Sequence, residues 1–205
     1  PKYDDAQTIY KDLIVKINAG IDAIKASTPT QTDITADIMF HGDKTKWVKF
    51  ANTLKLRILM RQIPKGNQPY VIAQLAAISA EGFLGVGEDA MVNPGYRDVV
   101  AQQSPLWGSF GFTAGTLNPI ENNNYYRANK SMIDLLKSLN DTIRMGYLFK
   151  KNEAGGYDGN YFGETSTARQ NSVTSAIGPG ILQSPSQGAL VISSFESLFL
   201  QAEAA

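Results

Sequence analysis

Hydrophobic positions recur along the chain with two textures. Over residues 4–26, Ile9, Leu13, Ile17, Ile21 and Ile24 follow one another at spacings of three and four, which puts them on one face of a helix. Asp4 and Asp5 stand at its start, where carboxylates suit the helix dipole. The stretch "STPTQTD" then interrupts the period. A second helix follows Gly42, with Asp43 as its N-cap and an apolar stripe of Trp47, Phe50, Ala51, Leu54 and Ile58. Lys46, Lys49 and Lys55 fall off that stripe and read as a solvated face, and Pro64 is expected to end the helix. A short connection between two such helices predicts an antiparallel helical hairpin.

A third helix is expected at 68–80, then a glycine-rich turn with short strands in "EGFLGVGEDAMV". Residues 93–128 carry no helical period and are dominated by Gly, Pro, Asn and aromatics. A loop of that length in a compact domain is usually functional or disordered, and its aromatic content argues for order. Helical pattern returns at 131–139, with Ser131 as N-cap and Asp134 three residues on. A Gly/Asn/Ser-rich stretch follows. A last helix begins near Gln187 or Gly188, with Leu190, Phe195, Leu198, Phe199 and Ala202 as its expected buried residues.

Composition narrows the functional classes. The chain has 205 residues, 43% of them hydrophobic, as in an ordinary globular protein. Lys plus Arg and Asp plus Glu are 19 each, so no global charge draws the chain to nucleic acid or an anionic membrane. Absence of cysteine removes disulfides, thiolate metal sites and cysteine nucleophiles. The single histidine, His41, excludes a three-histidine zinc site and reads best as a turn residue beside Gly42. No apolar run is long enough to cross a membrane as a helix.

Three segments together resemble the SusD/RagB-like family. "YDDAQTIYKDLIVKINAGIDAI" is similar to a helix early in this region. "DIMFHGDKTKWVKFANTLKLRILMR" resembles the pattern D-x-x-Y-x-G-D-x-x-K-W-x-K-F-A-N-S-L-K-L-R of the branch described as starch-binding and outer-membrane-associating, with Phe40 for Tyr and Thr53 for Ser. "SFESLFLQAEAA" resembles a later helix of the form A-E-x-x-F-L-x-A-E-A. Near Asp141 the chain departs from the usual N-D-P-R, reading Asp141, Thr142, Ile143, Arg144.

The resemblance implies a mainly α fold of tetratricopeptide-like helical hairpins with long irregular aromatic-rich loops. It implies a single SusD-like domain over 1–205, a fragment of a longer chain, with a helical scaffold at 1–80, 130–140 and 187–205 and a loop-rich ligand region at 82–128 and 150–186. It also implies a non-catalytic surface lipoprotein of the Bacteroidetes outer membrane. Such a protein is anchored by lipid outside this stretch, partners a SusC-like TonB-dependent transporter, and takes oligosaccharide or peptide cargo. No nucleic acid and no cofactor are implied.

Several readings of individual residues compete beside it. The basic residues Lys44, Lys46, Lys49, Lys55, Arg57 and Arg61 make either a cationic binding face or the outside of a scaffold helix, and periodicity favours the scaffold. Asn52 and Arg57 are suited to structural hydrogen bonds between helices. Carboxylates such as Glu88 with Asp89, or Glu153, Asp158 and Glu164, could flank a sugar bond as in a glycosidase, but no catalytic motif accompanies them. "NEAGGYDGN" offers oxygen ligands for Ca²⁺ without EF-hand spacing, and a plain polar loop is the simpler reading. The aromatic stretch at 93–128 is the best candidate for a site. Sugar rings present apolar C–H faces to aromatics and hydroxyls to amides and guanidinium groups. Trp107, Tyr96, Tyr125 and Tyr126 with Arg97 and Asn123 supply both classes, and Trp107 is the first choice. A helical module whose ligand is a peptide or a protein partner is the alternative function.

Overall fold

A computed structural model describes residues 3–63, 66–164 and 169–205. Among these residues the chain is mainly helical, with one two-stranded sheet, and it divides into two compact units, Pro1–Pro94 with Leu190–Ala205 and Gly95–Ala189. No described helix is long and apolar enough to cross a membrane.

The first unit is built around α3 (Lys44–Met60), which packs against α1 (Ala6–Ala26), α4 (Gln68–Ala76) and α9 (Ser194–Ala204). Asp5 caps α1 by accepting from the Thr8 amide, and Asp43 caps α3 by accepting from that of Lys46. The "STPTQTD" break holds a short helix, α2 (Gln31–Ala36), closed by a capping box between Thr30 and Asp33. The buried line of α1 is Ile14 and Ile21, flanked by half-buried Ile17 and Ile24, while Ile9 and Leu13 are exposed. In α3 the buried set is Val48, Leu56, Leu59 and Met60, and the Trp47–Phe50–Leu54–Ile58 stripe lies half-buried at its edge. Two apolar clusters result, one joining Ile14, Leu59 and Val71, the other joining Phe40, Leu84, Ala90 and Ile192.

The solvated lysine face of α3 is corrected in two places. Lys55 is 1% exposed, and its ammonium donates to Asn18 Oδ1 on α1 at 3.1 Å. Lys49 pairs with Glu88 at 2.8 Å. Three neighbours on α3 cross the unit as well. Asn52 donates to Ser79 Oγ at 2.9 Å and to the Gly82 carbonyl at 2.7 Å, the Leu84 amide donates to Thr53 Oγ1 at 3.0 Å, and Arg57 donates to Glu196 on α9 at 2.6 Å. The helix stops at Met60, and Pro64 lies outside the described residues.

The last segment also differs from its sequence pattern. Strand β2 (Ala189–Ile192) pairs with β1 (Ala90–Val92) before α9 starts at Ser194. Leu190, Phe195, Phe199 and Ala202 are exposed, and α9 turns Ser194 and Ser197 inward instead. Hydrogen bonding outweighs hydrophobicity at that contact, because Ser197 Oγ donates to the buried Leu84 carbonyl at 2.6 Å.

The second unit is loop-rich but holds more helix than its texture predicts. Within 93–128 lie α5 (Pro105–Phe110) and α6 (Glu121–Tyr125), packed together. They are too short for a periodic signal to register. Helix α7 (Lys130–Ser138) is capped by Asn129, whose side chain accepts from the Ser131 and Met132 amides, so Ser131 is not the cap. Asp141 caps α8 (Thr142–Leu148), where no helix is expected from the sequence. Helices α7 and α8 pack over a cluster of Ala128, Ile133, Leu136 and Met145.

Candidate binding site

The second unit contains a cavity of about 480 Å³, within the range of small-molecule sites. Three separate stretches build it. Backbone bonds from the Lys150 amide to the Ala176 carbonyl at 2.9 Å and from the Glu153 amide to the Ser172 carbonyl at 3.1 Å join 150–153 to 172–176. The Ala128 amide donates to the Ser175 carbonyl at 2.8 Å and brings in the end of the aromatic stretch.

Phe112, Pro119, Ile177, Pro179 and Leu182 give the cavity an apolar wall. Asn123, Asn124, Asn152 and Asn171 add amides, and Arg127, Lys150, Lys151 and Glu153 add charge. Arg127 is fixed by neutral partners. Its Nε donates to Thr174 Oγ1 at 3.0 Å, and its Nη2 donates to the Asn171 carbonyl at 2.9 Å and to the Thr174 carbonyl. Burial draws this guanidinium below the ordinary arginine value, and the Glu153 carboxylate opposes the shift.

The residues singled out from sequence have distinct fates. Asn123 lines the cavity but is mostly committed to structure. Its Nδ2 donates to the Phe110 carbonyl at 2.6 Å, while Asn122 donates to that of Ser109 at 3.0 Å, so α6 asparagines satisfy the last carbonyls of α5. Trp107 is half-buried and sits against Phe112 with ring centroids 5.6 Å apart, so it backs the apolar wall. Gly111 permits that approach, since a Cβ there would come within 2.9 Å of the indole. Tyr125 and Tyr126 follow cavity-lining Asn124 and form an edge-on pair at 5.2 Å, with Phe110 packed on Tyr126. Tyr125 is 76% exposed, so its ring is open to a ligand. Tyr96 is half-buried, and exposed Arg97 is tied to Gln102 through both backbone and side chain. Neither Trp107, Tyr96, Arg97, Tyr125 nor Tyr126 lines the cavity.

Arg127, Lys150, Lys151, Asn152 and Asn171 fall within the loop-rich region expected to carry the ligand, but none stands out from the sequence as a glycan contact. No sequence spacing links positions 127, 150 and 171; backbone pairing does. Of the carboxylates considered for catalysis, Glu88, Asp89 and Asp158 are held in structural contacts, while Glu153 is exposed on the cavity lining. Glu88 accepts from Lys49 and from the Gly85 amide, and Asp89 accepts from the Ser194 amide. Asp158 pairs with Lys130 and Arg169. In "NEAGGYDGN", Asn152 Oδ1 accepts from the Gly156 amide at 3.0 Å. Among the described residues no group of three His, Asp or Glu is arranged to hold a metal.

Paired helices and a loop-built cavity with apolar and amide linings make this a mainly α scaffold. The chain belongs to the SusD-like family, whose model, described as starch-binding and associating with the outer membrane, matches residues 1–205. A SusD/RagB family protein from Bacteroides thetaiotaomicron is similar in fold, with TM-score 0.71 and 21% identity over 100% of this chain and 42% of its own. A SusD-like protein from the same organism has TM-score 0.69 and 23% identity over 99% of this chain and 40% of its own. A chitin-binding SusD homolog from Flavobacterium johnsoniae has TM-score 0.69 and 20% identity over 99% of this chain and 40% of its own. The chain thus spans about two fifths of the length of these solved relatives. Among curated proteins there is no match.

Proposed function

We propose that the chain is the glycan-capturing part of a surface lipoprotein, binding oligosaccharide without turning it over and serving a SusC-like TonB-dependent transporter of the outer membrane. The observation that carries this reading is the family match along the whole chain to a model described as starch-binding. The chitin-binding relative supports the same ligand class. The local chemistry agrees with it: exposed tyrosines offer a face to sugar C–H groups, and the adjoining cavity offers amides to hydroxyls. Tyr125 and Tyr126 serve as the sugar platform, and Trp107 supports the pocket from behind Phe112.

A binding screen of the full-length protein against glycans and polysaccharides tests the reading. Binding without release of reducing ends is the expected result. Retention of a peptide or a transporter partner with no glycan bound would replace it with the protein-binding alternative. Release of reducing ends would make the protein a hydrolase.

A further inference from the structure

We infer that the cavity of the second unit takes an oligosaccharide bearing anionic groups, carboxylate or sulfate. The inference rests on the glycan-binding reading and goes beyond it in naming the ligand's charge.

The charge of the cavity lining carries the argument. Elsewhere in this unit Lys130 pairs with Asp134 and Asp158, Arg144 with Asp141, and Arg169 with Asp158, while Arg97 and Lys137 are held by the neutral groups of Gln102 and Tyr157. Three cations lie on the cavity lining itself. Among the described residues Arg127, Lys150 and Lys151 form no ion pair. Glu153 is the one carboxylate on the lining, so three cations face one anion in a chain whose net charge is zero.

Arg127 is the central element. Its neutral acceptors fix the guanidinium in place without cancelling its charge. A cation held in this way loses little on meeting an anion, because its orientation is already set. A sugar carboxylate or sulfate would then gain charge-assisted hydrogen bonds, roughly twice as strong as those from a neutral hydroxyl. The apolar wall and the asparagines remain available to the rest of the sugar. Lys150 and Lys151 are exposed, so their share of the attraction will be screened by salt.

The test is a binding comparison on the full-length protein using acidic polysaccharides (uronate-rich and sulfated), their carboxyl-reduced and desulfated forms, neutral glucans and chitin oligomers, and double-stranded DNA. The Lys150→Gln/Lys151→Gln double variant is run beside it, since neither side chain has a partner to lose among the described residues. The expected result is binding that follows the acidic groups, weakens with salt, and falls roughly threefold to tenfold in the double variant with an unchanged circular dichroism spectrum. The uronate and sulfate arms decide which anion is read. Preference for the neutral forms would overturn the inference and leave the glycan reading standing. Binding of no glycan at all would overturn both. Equal retention of DNA would reduce the site to a nonspecific polyanion surface and overturn it as well.

Discussion

The Trp47 indole donates to Asp37 Oδ2 at 2.7 Å, across the turn that leads into α3. The same oxygen accepts from the Gly42 amide at 2.8 Å, while Oδ1 accepts from Met39 at 3.0 Å and Phe40 at 3.1 Å. One carboxylate thereby organises the stretch from Asp37 to Trp47. His41 and Gly42 both adopt positive φ, at 51° and 80°, so the chain can fold around that carboxylate. Phe40 and Trp47 then meet edge-on at 5.1 Å in the core. Spacing in the family-like motif is thus a consequence of one side chain reaching four donors.

Asp37→Asn is nearly isosteric but replaces an accepting oxygen with a donor facing other donors. It is expected to cost about 1–3 kcal/mol of stability, seen as a lower denaturant midpoint at unchanged slope. An unchanged midpoint would show that the turn holds without the carboxylate.

The same group gives a pH dependence. Burial acts to raise the Asp37 pKa, but hydrogen bonds from Gly42, Trp47, Met39 and Phe40 together bring it down to about 2. In the unfolded chain it protonates near its ordinary value of about 3.9. Between about pH 4 and 2 the unfolded state therefore takes up a proton that the folded state refuses, and stability falls as pH falls through that window. The contribution at neutral pH is about 2 kcal/mol at most. Thermal melts of the wild type and Asp37→Asn, taken from pH 6 to 2, should converge towards the acid end.

Lys55 poses the opposite case, a cation buried against Asn18 with no carboxylate paired to it among the described residues. Burial lowers its pKa. Below the unfolded value of about 10.4 there is then a range in which the unfolded chain holds more protons, so stability should rise with pH on approaching 10.4 from below. Lys55→Met keeps the stem and removes the charge. It is expected to be neutral or stabilising by up to about 2 kcal/mol and to abolish the alkaline rise. Marked destabilisation would instead assign Lys55 a structural hydrogen-bonding role that exceeds its desolvation cost.

Much of the scaffold was legible because long helices repeat their signal. The positions of α1, α3 and α4 and the Asp43 cap follow from spacing and cap chemistry. What failed was the choice of face. On α9 the sequence offers Phe195 and Phe199, yet they are 73% and 75% exposed, and a serine makes the inner contact. Period identifies a stripe but not which stripe its neighbours select. Short helices such as α5, α6 and α8 carry too few turns for any period, and of the three only α8 has a side-chain cap, Asp141, to mark its start. In the candidate site, the aromatic stretch supplies Phe112, Pro119 and Asn123 of the cavity lining. Its cations became visible only once residues 127, 150 and 171 were brought together.

Thr53 shows why a hydroxyl stands at that point of α3. Its Oγ1 donates to the Lys49 carbonyl at 2.9 Å and accepts from the Leu84 amide at 3.0 Å, while the Leu84 carbonyl is met by Ser197. Both backbone groups of a fully buried residue are satisfied by side chains. Thr53→Val has the same shape but leaves the Leu84 amide unpaired, and a loss of about 1–3 kcal/mol is expected. Thr53→Ser keeps the hydroxyl and should cost less. Equal losses in chemical denaturation would place the effect in the methyl group rather than the hydrogen bond.

Trp107 and Tyr125 separate support from contact. The Trp107 ring is half-buried against Phe112, so Trp107→Ala removes packing behind the cavity wall and should cost roughly 1–3 kcal/mol, less than a fully buried tryptophan. Its effect on glycan binding would be indirect, through loosening of Phe112. Tyr125 is open on its outer face, and Tyr125→Ala should change stability by no more than about 0.5 kcal/mol. If the tyrosine is a sugar platform, that variant should weaken glycan affinity about fivefold or more. Melting temperature and affinity measured on both variants discriminate the roles: the two effects should appear together in Trp107→Ala and apart in Tyr125→Ala. Full affinity in a stable Tyr125→Ala protein would remove Tyr125 from the site and leave the cavity to account for binding alone.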